Sequence, residues 1–327
     1  MRIAINGFGR IGRLVYRALL EKNIDVVAVN DLTDTKTLAH LLKHDSVHGH
    51  LKNEVSYNDN NLIVDGKEVK VFAERDPQNL PWGELNIDVV VESTGFFTTR
   101  EKAALHLTAG ARKVILSAPA KGEVDITIVK GVNEHEYNKD THHVISNASC
   151  TTNCLAPLVK VLNDNFGVEK GFMTTIHSYT GDQKLVDAPH SDLRRARHAA
   201  INMVPTSTGA AKAVAQVIPE LKGKLDGIAI RVPTPDASFT DFIVELKKET
   251  TTEEINNLMK AVSQNELKGV IDYLEYPAVS SDIIGNTCSS VFDPELTKVN
   301  GKLVKISSWY DNEWGYSNRV VDLIQLL

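Results

Sequence analysis

A short apolar run at residues 2–5 breaks into Asn6-Gly7-Phe8-Gly9-Arg10-Ile11-Gly12, which sets Gly7, Gly9 and Gly12 in a G-x-G-x-x-G spacing. Behind the glycines, Ile11, Leu14, Val15, Ala18 and Leu19 recur with the period of one helix face. A second apolar run, Val26 to Asn30, follows at once, so the segment reads as strand, tight turn, helix, strand. Asp31 ends the second strand nineteen residues after Gly12, the position from which a carboxylate accepts hydrogen bonds from a ribose and repels a 2′-phosphate. Gly7 permits the turn, Gly9 lets backbone N–H groups approach a pyrophosphate, and the helix opening near Arg10 points its positive end there. Glycine spacings also recur by chance, and an ordinary α/β turn with no dinucleotide is the competing reading. The flanking strands and Asp31 favour the dinucleotide.

Further apolar runs at Asp88–Glu92, Lys113–Ser117, Asp125–Lys130 and His143–Ser146 are continuous in character, as parallel strands covered on both faces are. The first half therefore reads as doubly wound α/β. From Cys150 to Phe166 apolar positions return at helical spacing, with Ser149 as N-cap and Pro157 inside the pattern, where it predicts a kink or a late start. The texture then changes. Phe239–Lys248 alternates, with Phe242, Val244 and Leu246 on one face, and Gly171–Ser178, Gly227–Val232 and Leu303–Trp309 read as similar strands. The second half is α+β around a mostly antiparallel sheet, the stretch from Ser317 to Leu327 is helical again, and the domain border falls near residue 148.

Composition narrows the chemistry. Lys and Arg number 36 against 42 Asp and Glu, a net charge of −6, so no global positive field draws the chain to nucleic acid or anionic lipid and any anion site must be local. Three cysteines in 327 residues are too few for a disulfide framework, which fits a reducing compartment. The opening residues lack a charged region leading into an apolar stretch, and no run of eighteen apolar residues occurs, so the expectation is a cytoplasmic protein.

Cys150 is placed at the first turn of its helix, where the dipole favours thiolate over thiol. That makes it the candidate nucleophile. Cys154, one turn further in, reads as a small buried hydrophobe, and Cys288 as structural. No second cysteine pair completes a zinc site. Of eleven histidines, His177 ends a strand beside the polar loop Ser178–Gln183, which fits either a base for Cys150 or a core histidine. His44, His48 and His50 cluster in a polar stretch without acidic or cysteine ligands and read as surface histidines, so no metal site is expected. Arg194, Arg195 and Arg197 are either a solvated face or a local phosphate patch.

Taken together, NGFGRIGR, SNASCTTNCLAP, HSYTGDQ, DAPHSDLRRAR, PTSTGAAKA and WYDNEWGYSNRV resemble, in order and along almost the whole chain, phosphorylating glyceraldehyde-3-phosphate dehydrogenases. The resemblance implies a Rossmann domain at residues 1–148, a catalytic domain at 149–314 and a C-terminal helix at 315–327 that returns to the first domain. It implies Cys150 as nucleophile and His177 as its activator. Substrate phosphate would be held by Thr180 and Arg231, and inorganic phosphate by Ser149, Thr151, Arg195, Thr208 and Gly209. NAD would be held by the glycine loop with Arg10 and Ile11, by Asp31, Arg75 and Ser117, and by Asn312 at the nicotinamide amide. Gly181 departs from the asparagine many members carry there.

The implied activity is NAD-dependent oxidation of glyceraldehyde 3-phosphate with inorganic phosphate, in glycolysis or gluconeogenesis, by a homotetramer with no membrane or principal nucleic-acid role. The same residues leave open a sister activity on erythrose 4-phosphate. A cysteine hydrolase with a merely structural glycine loop is disfavoured by Asp31, and a non-catalytic sensor by the intact cysteine and histidine.

Overall fold

The computed structural model describes residues 1–327, which form two compact units. The first comprises Met1–Ile128, His135–Ala148 and Ser317–Leu327; the second comprises Val129–Glu134 and Ser149–Tyr316.

In the first unit, strand β1 (Ile3–Asn6) leads through the glycine turn into helix α1 (Arg10–Glu21) and β2 (Val26–Asn30). Helix α2 (Thr35–Lys43) follows, then β3 (Val55–Tyr57), β4 (Asn61–Val64), β5 (Lys67–Phe72) and β6 (Val89–Glu92). Two one-turn helices, α3 (Arg100–Ala103) and α4 (Leu105–Thr108), precede β7 (Lys113–Leu116), β8 (Ile126–Thr127) and β9 (Val144–Ser146). The sheet runs β3-β4-β5-β2-β1-β6-β7-β9-β8, parallel from β5 onward. Because β1 is flanked by β2 on one side and β6 on the other, the chain reverses its winding there, and the space beyond the carboxyl ends of β1 and β6 is a topological switch point. The strands are continuously apolar because both faces are covered: Ala4, Ala28 and Val90 pack with Leu80, Trp82, Ile87 and Ala111 on one of them.

Two expectations need correction. The run Asp125–Lys130 forms only a two-residue strand, and Ile126 and Thr127 are half-buried, because β8 is the edge strand and has one neighbour. The hairpin β3–β4–β5 was not anticipated, although Asp65-Gly66 links β4 to β5 with φ of 49° and 78°, the two left-handed residues of a tight hairpin turn. The strands are only three to six residues long, and the alternation of the buried Leu62, Val64 and Val69 covers too few positions to stand out as a period.

The second unit opens with α5 (Cys150–Phe166), capped by the Ser149 hydroxyl, which accepts the N–H of Thr152 at 3.0 Å. Pro157 lies inside this helix, which nevertheless starts at Cys150. Next come β10 (Val168–Ser178), β11 (Val204–Ser207), α6 (Ala210–Ala213), β12 (Leu225–Val232), β13 (Ser238–Leu246), α7 (Thr252–Gln264), β14 (Ile271–Tyr273), α8 (Ser280–Ile283), β15 (Ser290–Phe292), β16 (Lys298–Asn300) and β17 (Leu303–Tyr310). The sheet order is β11-β12-β10-β13-β17-β15-β14, with β16 on β17. Most pairs are antiparallel; β10 with β12 and β14 with β15 are parallel. Phe242, Val244 and Leu246 are buried as their alternation predicts, and α5 packs on β10, β13, β15 and β17. The last helix, α9 (Trp314–Leu326), starts in the second unit and runs into the last segment of the first. No helix is long and apolar enough to cross a membrane.

Candidate active site

In the first unit the carboxyl ends of β1, β2, β5 and β6 open onto a cleft of ≈ 500 Å³ lined by Gly7, Gly9, Asp31, Arg75, Ser93 and Thr94, among others. The glycines are there for space. A Cβ on Gly7, whose φ is +89°, would come within 2.7 Å of the backbone at Ser93 and Thr94. One on Gly12 would come within 2.1 Å of the Gly7 carbonyl oxygen, so helix and turn touch only because both are glycine. Beside Gly9 nothing lies within 4 Å, and no side chain caps the first turn of α1, which begins at Arg10 with Ile11 next. An uncapped helix start beside an open space is suited to a diphosphate.

The Asp31 carboxylate is already in use. One oxygen accepts the N–H of Phe8 at 2.9 Å and the other the N–H of Thr33 at 3.0 Å, so Asp31 holds the glycine turn as well as facing the cleft. Arg10 pairs with Asp45. Ser117, beyond β7, donates to the Glu92 carbonyl at 3.1 Å and lies 3.0 Å from the Ser93 hydroxyl. Under the cleft floor, the buried Glu92 carboxylate is met by the Asn6 amide at 2.6 Å and by His106 Nε2 at 3.0 Å. Trp82 Nε1 donates to His106 Nδ1 at 3.0 Å, so Nε2 carries the ring proton that Glu92 receives. These residues carry no sequence signature, because they meet only when β1, β6 and α4 are assembled.

In the second unit, Cys150 at the first turn of α5 presents Sγ to Nε2 of His177 at 3.5 Å. His177 Nδ1 lies 2.7 Å from the Ser178 carbonyl oxygen, an acceptor only, so Nδ1 carries the proton and Nε2 faces the sulfur with its lone pair. Parallel register places Arg231 of β12 directly beside His177 of β10. Arg231 NH1 is 3.1 Å from His177 Nδ1, and it donates to the Ser178 carbonyl at 3.2 Å and to Thr180 Oγ1 at 3.3 Å. Its Nε is buried with no partner.

Electrostatics changes one expectation. Burial, then the adjacent Arg231, pushes the His177 imidazole down to about 3. Burial also pushes the Cys150 thiol up, against the opposing pull of Arg231 and Thr151. Both shifts favour the uncharged forms, so burial opposes the pull of the helix terminus on the Cys150 thiol. Cys154 is fully buried, lies 3.5 Å from Thr240 Oγ1 and 3.6 Å from Ser290 Oγ, and is pushed up to about 11 by burial.

Two further polar groups belong to the same unit, and Arg195 adds to the lowering of His177. Of the arginine triplet, Arg195 donates to Thr206 Oγ1 at 2.9 Å, to Asp182 at 2.8 Å and to the Ser207 carbonyl at 3.1 Å, and Arg197 pairs with Asp187 at 3.0 Å. Arg194 and Arg197 are exposed. Thr208 and Gly209 follow on the same loop, with open space beside Gly209, and Thr152 Oγ1 donates to the Ala210 carbonyl at 3.2 Å, tying that loop to the first turn of α5 and to Ser149. The Thr151 hydroxyl points inward onto Tyr310 Oη at 2.8 Å, so outward it offers only its backbone. Tyr310 also meets Thr175 at 2.9 Å and packs edge-on to His177 at 6.0 Å between ring centroids. Asn312 has its side-chain oxygen fixed by the Ser238 hydroxyl at 2.6 Å, which leaves its NH2 end pointing the other way. Tyr310, Thr175 and Ser238 were not anticipated as site residues.

Residues 1–100 match the family model for the NAD binding domain of glyceraldehyde 3-phosphate dehydrogenase, and residues 149–312 match the model for its C-terminal domain. The chain is 64% identical over 325 residues to glyceraldehyde-3-phosphate dehydrogenase of Geobacillus stearothermophilus, covering 99% of this chain and 97% of the relative. It is 60% identical to the protein of that name from Priestia megaterium over 329 residues (100% and 98%), and 60% identical to that from Streptomyces coelicolor over 327 residues (99% and 97%). With a glycine cradle shaped for a dinucleotide and a cysteine–histidine pair beside an arginine, the chain belongs to the glyceraldehyde 3-phosphate dehydrogenase family of NAD-dependent dehydrogenases.

Proposed function

We propose that the chain catalyses the NAD-dependent oxidative phosphorylation of D-glyceraldehyde 3-phosphate to 1,3-bisphosphoglycerate, with Cys150 as nucleophile and His177 as its base. The observation that carries the reading is the 3.5 Å approach of Cys150 Sγ to His177 Nε2. As Sγ bonds to the aldehyde carbon, Nε2 takes the thiol proton and passes it to the aldehyde oxygen, giving a hemithioacetal. The same nitrogen withdraws that hydroxyl proton when the carbon gives up hydride, leaving a thioester on Cys150. NAD, when bound, supplies the hydride acceptor.

The residues present fit that cofactor. The uncapped start of α1 with Gly9, Arg10 and Ile11 takes the pyrophosphate, Asp31 the ribose, Arg75 lines the cleft, Ser117 stands against the lining residue Ser93, and Asn312 offers its NH2 end to the nicotinamide amide. Arg231, with an unpartnered buried Nε, and Thr180 bind the substrate phosphate. Inorganic phosphate is bound by Ser149, the Thr151 backbone, Arg195, Thr208 and Gly209, and it attacks the thioester, expelling the Cys150 sulfur. In this reading residues 1–148 bind NAD, 149–314 carry catalysis, and 315–327 return to the first domain.

A cytoplasmic homotetramer is part of the same reading. On the outer face of the second sheet Phe172, Ile228, Ile243 and Leu303 are 70%, 49%, 44% and 50% exposed, apolar side chains that a neighbouring subunit would cover. NADH production from glyceraldehyde 3-phosphate with and without phosphate tests the function. A burst without phosphate and sustained turnover with it are expected; sustained turnover independent of phosphate refutes the reading in favour of hydrolytic release, as in the sister activity on erythrose 4-phosphate.

A further inference from the structure

In the first unit, the last turn of α2 and the loop after it gather three imidazoles that the reaction does not use. His40 and His44 are four residues apart, with ring centroids 4.7 Å apart, and His50 returns to stand edge-on to His44, again at 4.7 Å. In sequence, His44, His48 and His50 cluster and read as surface histidines; the fold packs His40 and His50 against His44. All three are exposed, and no ring nitrogen of the three makes a hydrogen bond within the protein.

The loop that brings His50 back is held from beneath. Arg17, 5% exposed, donates to the Leu42 carbonyl through two nitrogens, at 2.6 and 3.2 Å, and to the Gly49 carbonyl at 3.1 Å. Lys43 spans the loop with bonds to the carbonyls of Leu51 at 2.8 Å and Asn53 at 2.7 Å, which also ties its ammonium away from the imidazoles. Asp45 accepts the N–H groups of Val47 and His48, both at 2.9 Å. A cleft of ≈ 520 Å³ bordered by His40, His44, Thr37 and Tyr57 opens beside the rings.

We propose that His40, His44 and His50 bind one divalent d-block cation of the zinc, nickel or copper class, with water from the adjoining cleft completing its coordination. Two histidines one helical turn apart are a natural chelate, and imidazole-only donors select borderline metals over calcium or magnesium. As the rings stand, their nitrogens do not converge on one point, and sharing one ion at the usual ~2.0–2.1 Å requires the exposed side chains to rotate about His44, the neighbour of both other rings.

The test is a calorimetric titration of Ni2+ into the full-length protein with NAD bound and Cys150 alkylated, so that the sulfur and His177 cannot compete. One Ni2+ per chain is expected, with affinity reduced about tenfold or more in His44→Ala and in His50→Ala. Ni2+ should also raise the melting temperature of the unsubstituted protein and not that of His40→Ala/His44→Ala, while turnover of all variants before alkylation, and their melting in chelator, stay as in the unsubstituted protein. No one-site binding at millimolar Ni2+, or equal affinity in the double variant, would overturn the proposal.

Discussion

Replacing Arg231 with leucine removes a cation that the fold has already fixed in place. The guanidinium is held by the Ser178 carbonyl at 3.2 Å and Thr180 at 3.3 Å, and its Nε is buried without a partner, so a phosphate would meet it with little reorganisation. A hydrogen bond to a charged group contributes ~1.5–3 kcal/mol, which at ~1.4 kcal/mol per decade is a factor of about 12 to about 140. The KM for glyceraldehyde 3-phosphate should therefore rise by that factor in Arg231→Leu, with the KM for inorganic phosphate nearly unchanged. A second readout follows from the position of Arg231 beside the catalytic pair. It draws the Cys150 thiol down against burial, so its loss pushes the thiol further up and slows alkylation by iodoacetamide at neutral pH. His177 keeps its tautomer, because Nδ1 still donates to the Ser178 carbonyl at 2.7 Å. Initial rates at saturating NAD, with each substrate varied in turn, provide the assay. An unaltered KM for the aldehyde together with a raised KM for phosphate would refute the assignment of Arg231 and exchange the two anion sites.

Iodoacetamide should modify Cys150 well before the fully buried Cys154, and peptide mapping that found Cys154 labelled first would contradict the site. His177 is held near 3 against an ordinary 6.5, so the unfolded chain takes a proton that the native imidazole refuses; stability is complete above pH 6.5 and is lost as pH falls toward 3. Denaturant unfolding of His177→Asn should accordingly lose about 2 kcal/mol less between pH 7 and pH 5 than the parent, and an identical loss would count against the neutral resting state. Asp31→Asn should narrow the preference for NAD over NADP and also weaken NAD, because only one of the bonds to Phe8 and Thr33 survives; steady-state kinetics with both cofactors decide, and equal efficiency of the parent with NADP would remove Asp31 from its role. Gly12→Ala brings a methyl within 2.1 Å of the Gly7 carbonyl, so a destabilisation of ~1–3 kcal/mol and a marked loss of NAD affinity by fluorescence titration are expected; intact binding would mean that α1 and the turn can separate.

Much of this protein is legible in its amino-acid order alone, where the relevant contact is local. The glycine turn, the start of α1 and the Ser149 cap of α5 join residues a few positions apart, and a steric demand or a cap can be read directly from such neighbours. The runs of β1, β2, β6 and β7 are legible because both faces of a parallel sheet are covered. The hairpin β3–β4–β5 is less so, since its strands are only three to six residues long and the buried Leu62, Val64 and Val69 alternate over too few positions to mark a period. The catalytic centre depends on longer range. His177 meets Arg231 through the register of β10 on β12, Thr151 meets Tyr310 across α5 and β17, and Ser238 orients Asn312 from another strand. Only the tertiary structure decides the proton inventory as well. A helix terminus favours the Cys150 thiolate, but the burial that opposes it is a property of everything packed around the sulfur, and no local stretch of sequence contains that information.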